Sequence, residues 1–107
     1  MEEQADTFVP AERFRMVAST YGNLANVFVN EFFGDIQKTV VAVWFVESGE
    51  RFKHFTFILS PGKTRVTLTD LTSGTYHVEA IQFSEGGEKV TAQVDFEIVP
   101  PQMVSEK

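Results

Sequence analysis

The sequence predicts an all-β protein, a seven-stranded antiparallel β-sandwich. Turn residues recur about every ten positions, a spacing typical of sandwiches, and no segment shows the 3.6-residue period of an amphipathic helix. The stretch 66–99 shows the pattern best, because it holds three strands, a tight corner and a Gly86-Gly87 hairpin signal. Its last strand alternates polar residues with the apolar residues Val90, Ala92, Val94, Phe96 and Ile98.

The strands are predicted from runs of alternating or continuous apolar residues. In chain order they are 12–20, 24–33, 38–47, 51–59, 65–71, 75–83 and 89–99. Each ends at residues that favour turns, chiefly Gly, Pro, Asn, Asp and Ser. Pro100 and Pro101 end the last strand, because proline cannot continue a paired ladder.

Alternation predicts which side chains of each strand share a face. The first strand is expected to place Phe14, Met16 and Ala18 on one face. The fourth strand is expected to place Phe55, Phe57 and Leu59 on one face, with His54, Thr56 and Ile58 on the other. The facing of the second strand stays open, because both of its faces carry apolar residues.

The length of 107 residues fits one domain, and 43% apolar residues can fill its core. Eleven phenylalanines predict a core rich in aromatic rings. We expect a flexible arm at 1–11, the sandwich at 12–100 and a flexible tail at 101–107.

The charge balance excludes several classes of function. Nine basic and fifteen acidic residues give a net charge of −6, and the basic residues do not cluster. Binding to nucleic acid or to anionic lipid needs such clusters, so neither is expected. No apolar run approaches the roughly 18 residues of a membrane-spanning helix, so membrane insertion is not expected either.

The chain has no cysteine. Disulfides, thiolate metal ligands and cysteine nucleophiles are therefore excluded. A small domain without disulfides, whose N-terminus lacks the features of a signal peptide, favours a cytoplasmic location. An excised extracellular or surface domain is the alternative.

The corner before the sixth strand resembles a known family. Leu68, Thr72, Gly74, Tyr76 and Val78 stand where immunoglobulin domains have Leu, Asp, Gly, Tyr and Cys. The resemblance implies a Greek-key sandwich in which the tyrosine hydrogen-bonds back to the backbone of the corner. It covers residues 12–99 and implies an architecture rather than a function, because such sandwiches host many roles.

The same resemblance assigns further positions. Trp44 looks like the core tryptophan of the third immunoglobulin strand, and Val29 and Val78 would take the two cysteine positions. Thr72 replaces the acidic residue of the family. Fibronectin type III domains are a close alternative, since they have a similar corner and no disulfide, although their tryptophan usually lies on the second strand.

No group of residues has the spacing of a catalytic or metal site. The two histidines, His54 and His77, lie far from any Gly-x-Ser-x-Gly elbow and are expected to be exposed strand residues. His77 and Glu79 share a face, but a metal site needs further ligands. Asp70 alone does not make a calcium loop. We therefore expect no enzyme activity, no metal and no cofactor.

The third strand carries the one functional signal. If Trp44 points into the core, as the resemblance implies, Val41, Val43 and Phe45 must point outward. A strand with one solvated face should alternate apolar with polar residues, and this strand does not.

Ile81 and Phe83, on the sixth strand, are out of phase with the core positions of that strand and would join this apolar face. A patch of this kind is typical of an interface, so we predict a non-catalytic module that binds a protein partner or a second copy. Two alternatives remain. A β-bulge after Ala80 would return both residues to the core, or the apolar Phe8 and Val9 would cover the patch.

A second function of a different class is carbohydrate or peptide binding through loops at one end of the sandwich. Tyr21, Phe32 and Phe33 lie near predicted turns, where rings that stack on sugars are often placed.

Overall fold

A computed structural model of the chain describes residues 14–99, which form seven antiparallel strands. The strands are β1 (Met16–Tyr21), β2 (Leu24–Val29), β3 (Ile36–Glu47), β4 (Glu50–Leu59), β5 (Arg65–Leu68), β6 (Gly74–Ser84) and β7 (Lys89–Ile98). They form a three-stranded sheet in the order β1-β2-β5 and a four-stranded sheet in the order β4-β3-β6-β7. The predicted seven-stranded antiparallel sandwich is confirmed. The predicted arm, the predicted tail and the Phe8-Val9 segment lie outside the described residues.

The fourth strand decides how the seven strands divide between the sheets. β4 returns beside β3 through the two-residue turn Ser48-Gly49, where both residues have positive φ angles of 55° and 80°. Such turns match the twist of the two strands that they join. In constant-type immunoglobulin domains the fourth strand joins the other sheet, so this chain departs from that order.

The core lies between the two inner faces. The predicted facing of β1 is confirmed, because Phe14 and Met16 are buried and Ala18 packs against the core. The sequence left the facing of β2 open. In the structure its inner face carries three buried residues, Ala25, Val27 and Val29. The predicted face of β4 is also confirmed: Phe55, Phe57 and Leu59 pack against the core.

The corner has the geometry that the resemblance implies. Tyr76 is fully buried, and its hydroxyl donates to the carbonyl of Thr72 at 2.8 Å. The Thr72 hydroxyl lies 3.1 Å from the Tyr76 hydroxyl oxygen and can donate to it. Leu68 is buried beside the corner. Gly74 is required there, because its φ is +143° and a Cβ would lie 2.6 Å from a ring carbon of Phe45.

The predicted facing of β3 is wrong. Val41 and Val43 have no exposed surface, and the ring of Phe45 lies 5.3 Å from that of Tyr76, so all three face the core. Trp44 points outward and is half-buried. A strand that is apolar on both faces has no alternation to fix its phase, and the immunoglobulin resemblance assigned the wrong one.

A β-bulge in β4 corrects a second prediction. Val43 pairs with Phe55, but the next residue, Trp44, pairs with Lys53, so His54 is the extra residue. Its ring stacks on Tyr76, at 5.8 Å between centroids, and on Phe55, at 4.9 Å. His54 therefore lies on the inner side, although the sequence placed it with Thr56 and Ile58.

Candidate functional site

The outer face of the four-stranded sheet carries apolar residues on three neighbouring strands. Ile58 on β4 pairs with Val40 on β3, which pairs with Ile81 on β6. These three residues form a row across the sheet, which we call the apolar row. Residues paired in this way lie within van der Waals reach on one face. The row therefore forms a continuous apolar strip.

Further apolar side chains border the row. Ala42 follows Val40 on the same face of β3, and Phe83 follows Ile81 on β6. The ammonium of Lys38 lies over the ring of Phe83, 5.4 Å from its centroid. Ile58 is 68% exposed, and the other residues of the row are half-buried. The described residues place no second layer over this face.

The other end of the same face is charged and aromatic. Trp44, His77 and Asp95 form a cross-strand row on β3, β6 and β7. The two nitrogens of His77 lie 2.5 Å from an Asp95 oxygen and 2.9 Å from a Glu79 oxygen. The guanidinium of Arg51 donates a hydrogen bond to the same Glu79 oxygen at 3.3 Å. It also lies over the ring of Trp44, with its central carbon 5.6 Å from the ring centroid. These five residues form one connected cluster, called here the Trp44 cluster.

Both ring nitrogens of His77 have a carboxylate partner, Asp95 on one side and Glu79 on the other. The prediction that His77 is exposed is wrong, since its side chain is only 10% exposed.

Residues 14–99 contain no group of three or more side chains with the geometry of a metal site. Nor does this part of the chain contain a helix that is long and apolar enough to cross a membrane.

The predicted interface residues divide into two sets. Ile81 and Phe83 lie on the outer face, as predicted, and the register of β3 with β6 runs without a break from Lys38 to Val46. No bulge after Ala80 returns them to the core. Val41, Val43 and Phe45 lie on the inner face, so they cannot form the predicted surface. Their neighbours Val40, Ala42 and Trp44 occupy that place instead.

The cross-strand partner of His77 was not identified from the sequence, although counting residues from the hairpin turn would have found it. Gly86 and Gly87 mark the turn between β6 and β7, and strands paired about it bring His77 opposite Asp95. The turn Ser48-Gly49 likewise brings β4 against β3, but the bulge then shifts the register, so that Ile58 rather than Phe57 pairs with Val40. The bulge itself has no signal in the sequence.

The three aromatic residues of the alternative hypothesis do not lie together. Tyr21 pairs with Leu24 at the start of β2, whereas Phe32 and Phe33 follow its end at Val29. Six residues of strand separate the two ends by roughly 20 Å. The backbone amides of Phe32 and Phe33 are bonded to the buried side chain of Gln82. These residues therefore do not form one platform for a sugar or a peptide.

Comparison with known proteins supports the fold. No protein-family model matches the sequence, and no curated protein matches it. A solved structure of the third fibronectin III domain of a human protein superposes with a TM-score of 0.62 and 16% identity, covering 84% of this chain and 82% of that one. The crystal structure of pectate lyase PelI from Erwinia chrysanthemi, in complex with tetragalacturonic acid, superposes with a TM-score of 0.64 and 14% identity. That match covers 78% of this chain but only 28% of the lyase.

The chain therefore has the fold of the immunoglobulin-like and fibronectin III-like sandwiches. Both likenesses are at low identity and concern the fold alone. The division into three and four strands, with β4 beside β3, distinguishes it from the constant-type immunoglobulin order.

Proposed function

We propose that this protein is a non-catalytic interaction module that binds a protein partner through the outer face of its four-stranded sheet. The observation that carries the proposal is the apolar row of Ile58, Val40 and Ile81 on three adjacent strands. A solvated face would carry polar residues at these positions. An apolar surface without a covering layer is typical of a site that a partner covers.

The chemistry around the row supports a protein as the partner. Protein interfaces combine an apolar centre with a polar rim, and Trp and Arg are enriched among their most important contacts. Trp44 and Arg51 lie on this face beside Glu79 and Asp95. The apolar row would supply the buried centre, and the Trp44 cluster would fix the orientation of the partner through charge.

The proposal is tested by affinity capture with matched variants. Ile81→Arg places a charge in the apolar row, and Ser19→Arg places the same charge on the exposed outer face of the other sheet. We expect the wild type and Ser19→Arg to recover the same protein partner, and Ile81→Arg to lose it. Thermal unfolding of both variants controls for folding, since Ile81 is half-buried.

The captured partner is then purified and titrated against the chain, with the fluorescence of Trp44 as the signal. Three results contradict the proposal: no partner for the wild type, a partner that a folded Ile81→Arg variant retains, or one that Ser19→Arg loses.

A further inference from the structure

Strand β4 is an edge of the four-stranded sheet and pairs only with β3 among the described strands. An edge strand presents unpaired backbone N–H and C=O groups that can template another strand. All ten residues of β4 are exposed or half-buried. Phe52 is 49% exposed and Ile58 is 68% exposed. This edge therefore offers both hydrogen-bonding groups and apolar side chains.

Only half of this edge is protected. Proteins block edges with charges, prolines, bulges or very short strands. The first half of β4 carries Glu50, Arg51 and Lys53 and ends at the bulge of His54. The segment 55–59, with the sequence FTFIL, has no charge, no proline and no glycine. Such short, uncharged segments of high β-propensity are prone to pair with one another.

The other edges are better protected. β7 carries Lys89, Asp95 and Glu97 along its length. β5 is only four residues long. On β1, Arg15 precedes the strand, and the strand packs near β7 of the other sheet. Among the described edge strands, segment 55–59 is the uncharged stretch richest in apolar residues, with one polar residue in five, whereas the uncharged stretches 16–21 and 90–94 carry two polar residues each.

We propose that segment 55–59 pairs with the same segment of a second copy, forming a two-fold symmetric dimer with one continuous eight-stranded sheet. The segment is bounded by the bulge at His54 and by the turn at Ser60-Pro61. Its middle residue is Phe57. An antiparallel pairing that uses the whole segment must therefore place the two-fold axis at Phe57.

The chemistry of this register is self-complementary. Phe57 meets its own symmetry copy, Phe55 faces Leu59, and Thr56 faces Ile58. Each pair joins residues of the same face, as antiparallel pairing requires. The segment 55–59 carries no charge, so no like charges face each other across the two-fold axis. This matters for a protein of net charge −6, whose copies repel each other overall. A second copy is thus a chemically defined occupant for this edge.

The register predicts a charge-swap experiment. In one variant Thr56→Lys and Ile58→Lys are combined, and in the other Thr56→Glu and Ile58→Glu. Each pair of like charges lies directly across the two-fold axis, so each variant alone should be monomeric. Mixed together, the variants should form a heterodimer, because every facing pair then has opposite charge. Both positions are exposed on the outer face, so the fold should tolerate the changes.

Sedimentation velocity over a wide concentration range is the measurement. The wild type should dimerise reversibly as the concentration rises. The matched control, Thr91→Lys with Gln93→Lys, adds the same charge to exposed positions of the other edge strand and should dimerise like the wild type.

A wild type that stays monomeric overturns the proposal, since the edge would then be open to a foreign strand rather than to a second copy. Lysine variants of the edge that still dimerise, or mixed variants that stay monomeric, overturn it as well. Sedimentation is measured on the purified chain alone, so these outcomes are distinguishable from those of the capture experiment, although Ile58 belongs to both the edge and the apolar row.

Discussion

The two faces of strand β3 have almost the same composition and opposite surroundings. The inner residues Val41 and Val43 have no exposed surface, because the three-stranded sheet lies against them. The outer residues Val40, Ala42 and Trp44 are equally apolar but remain half-buried, with solvent where a second layer would be. Composition alone thus does not separate a buried face of a sheet from an uncovered one. The covering layer does, and matched substitutions on the two faces measure its effect.

The largest difference in the free energy of unfolding between an inner-face and an outer-face substitution is expected at the buried amide of Gln82. Gln82 has no exposed surface and accepts hydrogen bonds from the backbone amides of Phe32 and Phe33, at 2.7 and 3.1 Å. Its amide nitrogen donates to the Asn30 carbonyl at 3.0 Å. Gln82→Leu should lower the free energy of unfolding by about 3 kcal/mol, because these bonds are lost in a partly buried loop.

Gln93→Leu is the control for this change, because it is the same substitution on the exposed outer face of the same sheet. Its effect in urea denaturation should stay within about 0.5 kcal/mol. Equal losses for the two variants would show that Gln82 does not hold the loop.

A smaller difference is expected between two valines of β3. Val43→Ala leaves a cavity in the core and should cost about 2 kcal/mol. Val40→Ala removes the same atoms from the outer face and should cost well under about 1 kcal/mol. Chemical denaturation of both variants gives the two values. A larger loss for Val40→Ala would reverse the assignment of the faces.

The smallest difference concerns the corner. Tyr76→Phe removes the hydroxyl that bonds the Thr72 carbonyl, and the expected loss is about 1 kcal/mol. Tyr21→Phe is the matched control, because Tyr21 is 84% exposed and its change should be close to neutral. A Tyr76→Phe variant as stable as the wild type would mean that the hydroxyl does not stabilise the corner.

The sequence was sufficient for the frame of the molecule. Alternation placed Phe55 and Phe57 on one shared face, and the spacing of Gly74 and Tyr76 indicated the corner, because both signals are local. The phase of β3 could not be predicted, since both of its faces are apolar and only its pairing of Val43 with Val78 places it.

The candidate site was predicted only in part for the same reason. Ile81 and Phe83 were identified because β6 has a clear core phase from which they depart. Trp44 was missed as a surface residue because a tryptophan in a sandwich suggests a core position. The bulge at His54 depends on how β4 pairs with β3, so it could not be predicted from either strand alone.

The facing of Trp44 is the central claim, because it determines which side chains of β3 are available to a partner. Trp44 is the single tryptophan of the chain, so its fluorescence reports on this position alone. The acrylamide quenching constant of the native protein should reach a substantial fraction of the constant measured for the unfolded chain, as expected for a half-buried ring at the surface. A native tryptophan protected from acrylamide, with the blue-shifted emission of a buried ring, would contradict the account and return Trp44 to the core.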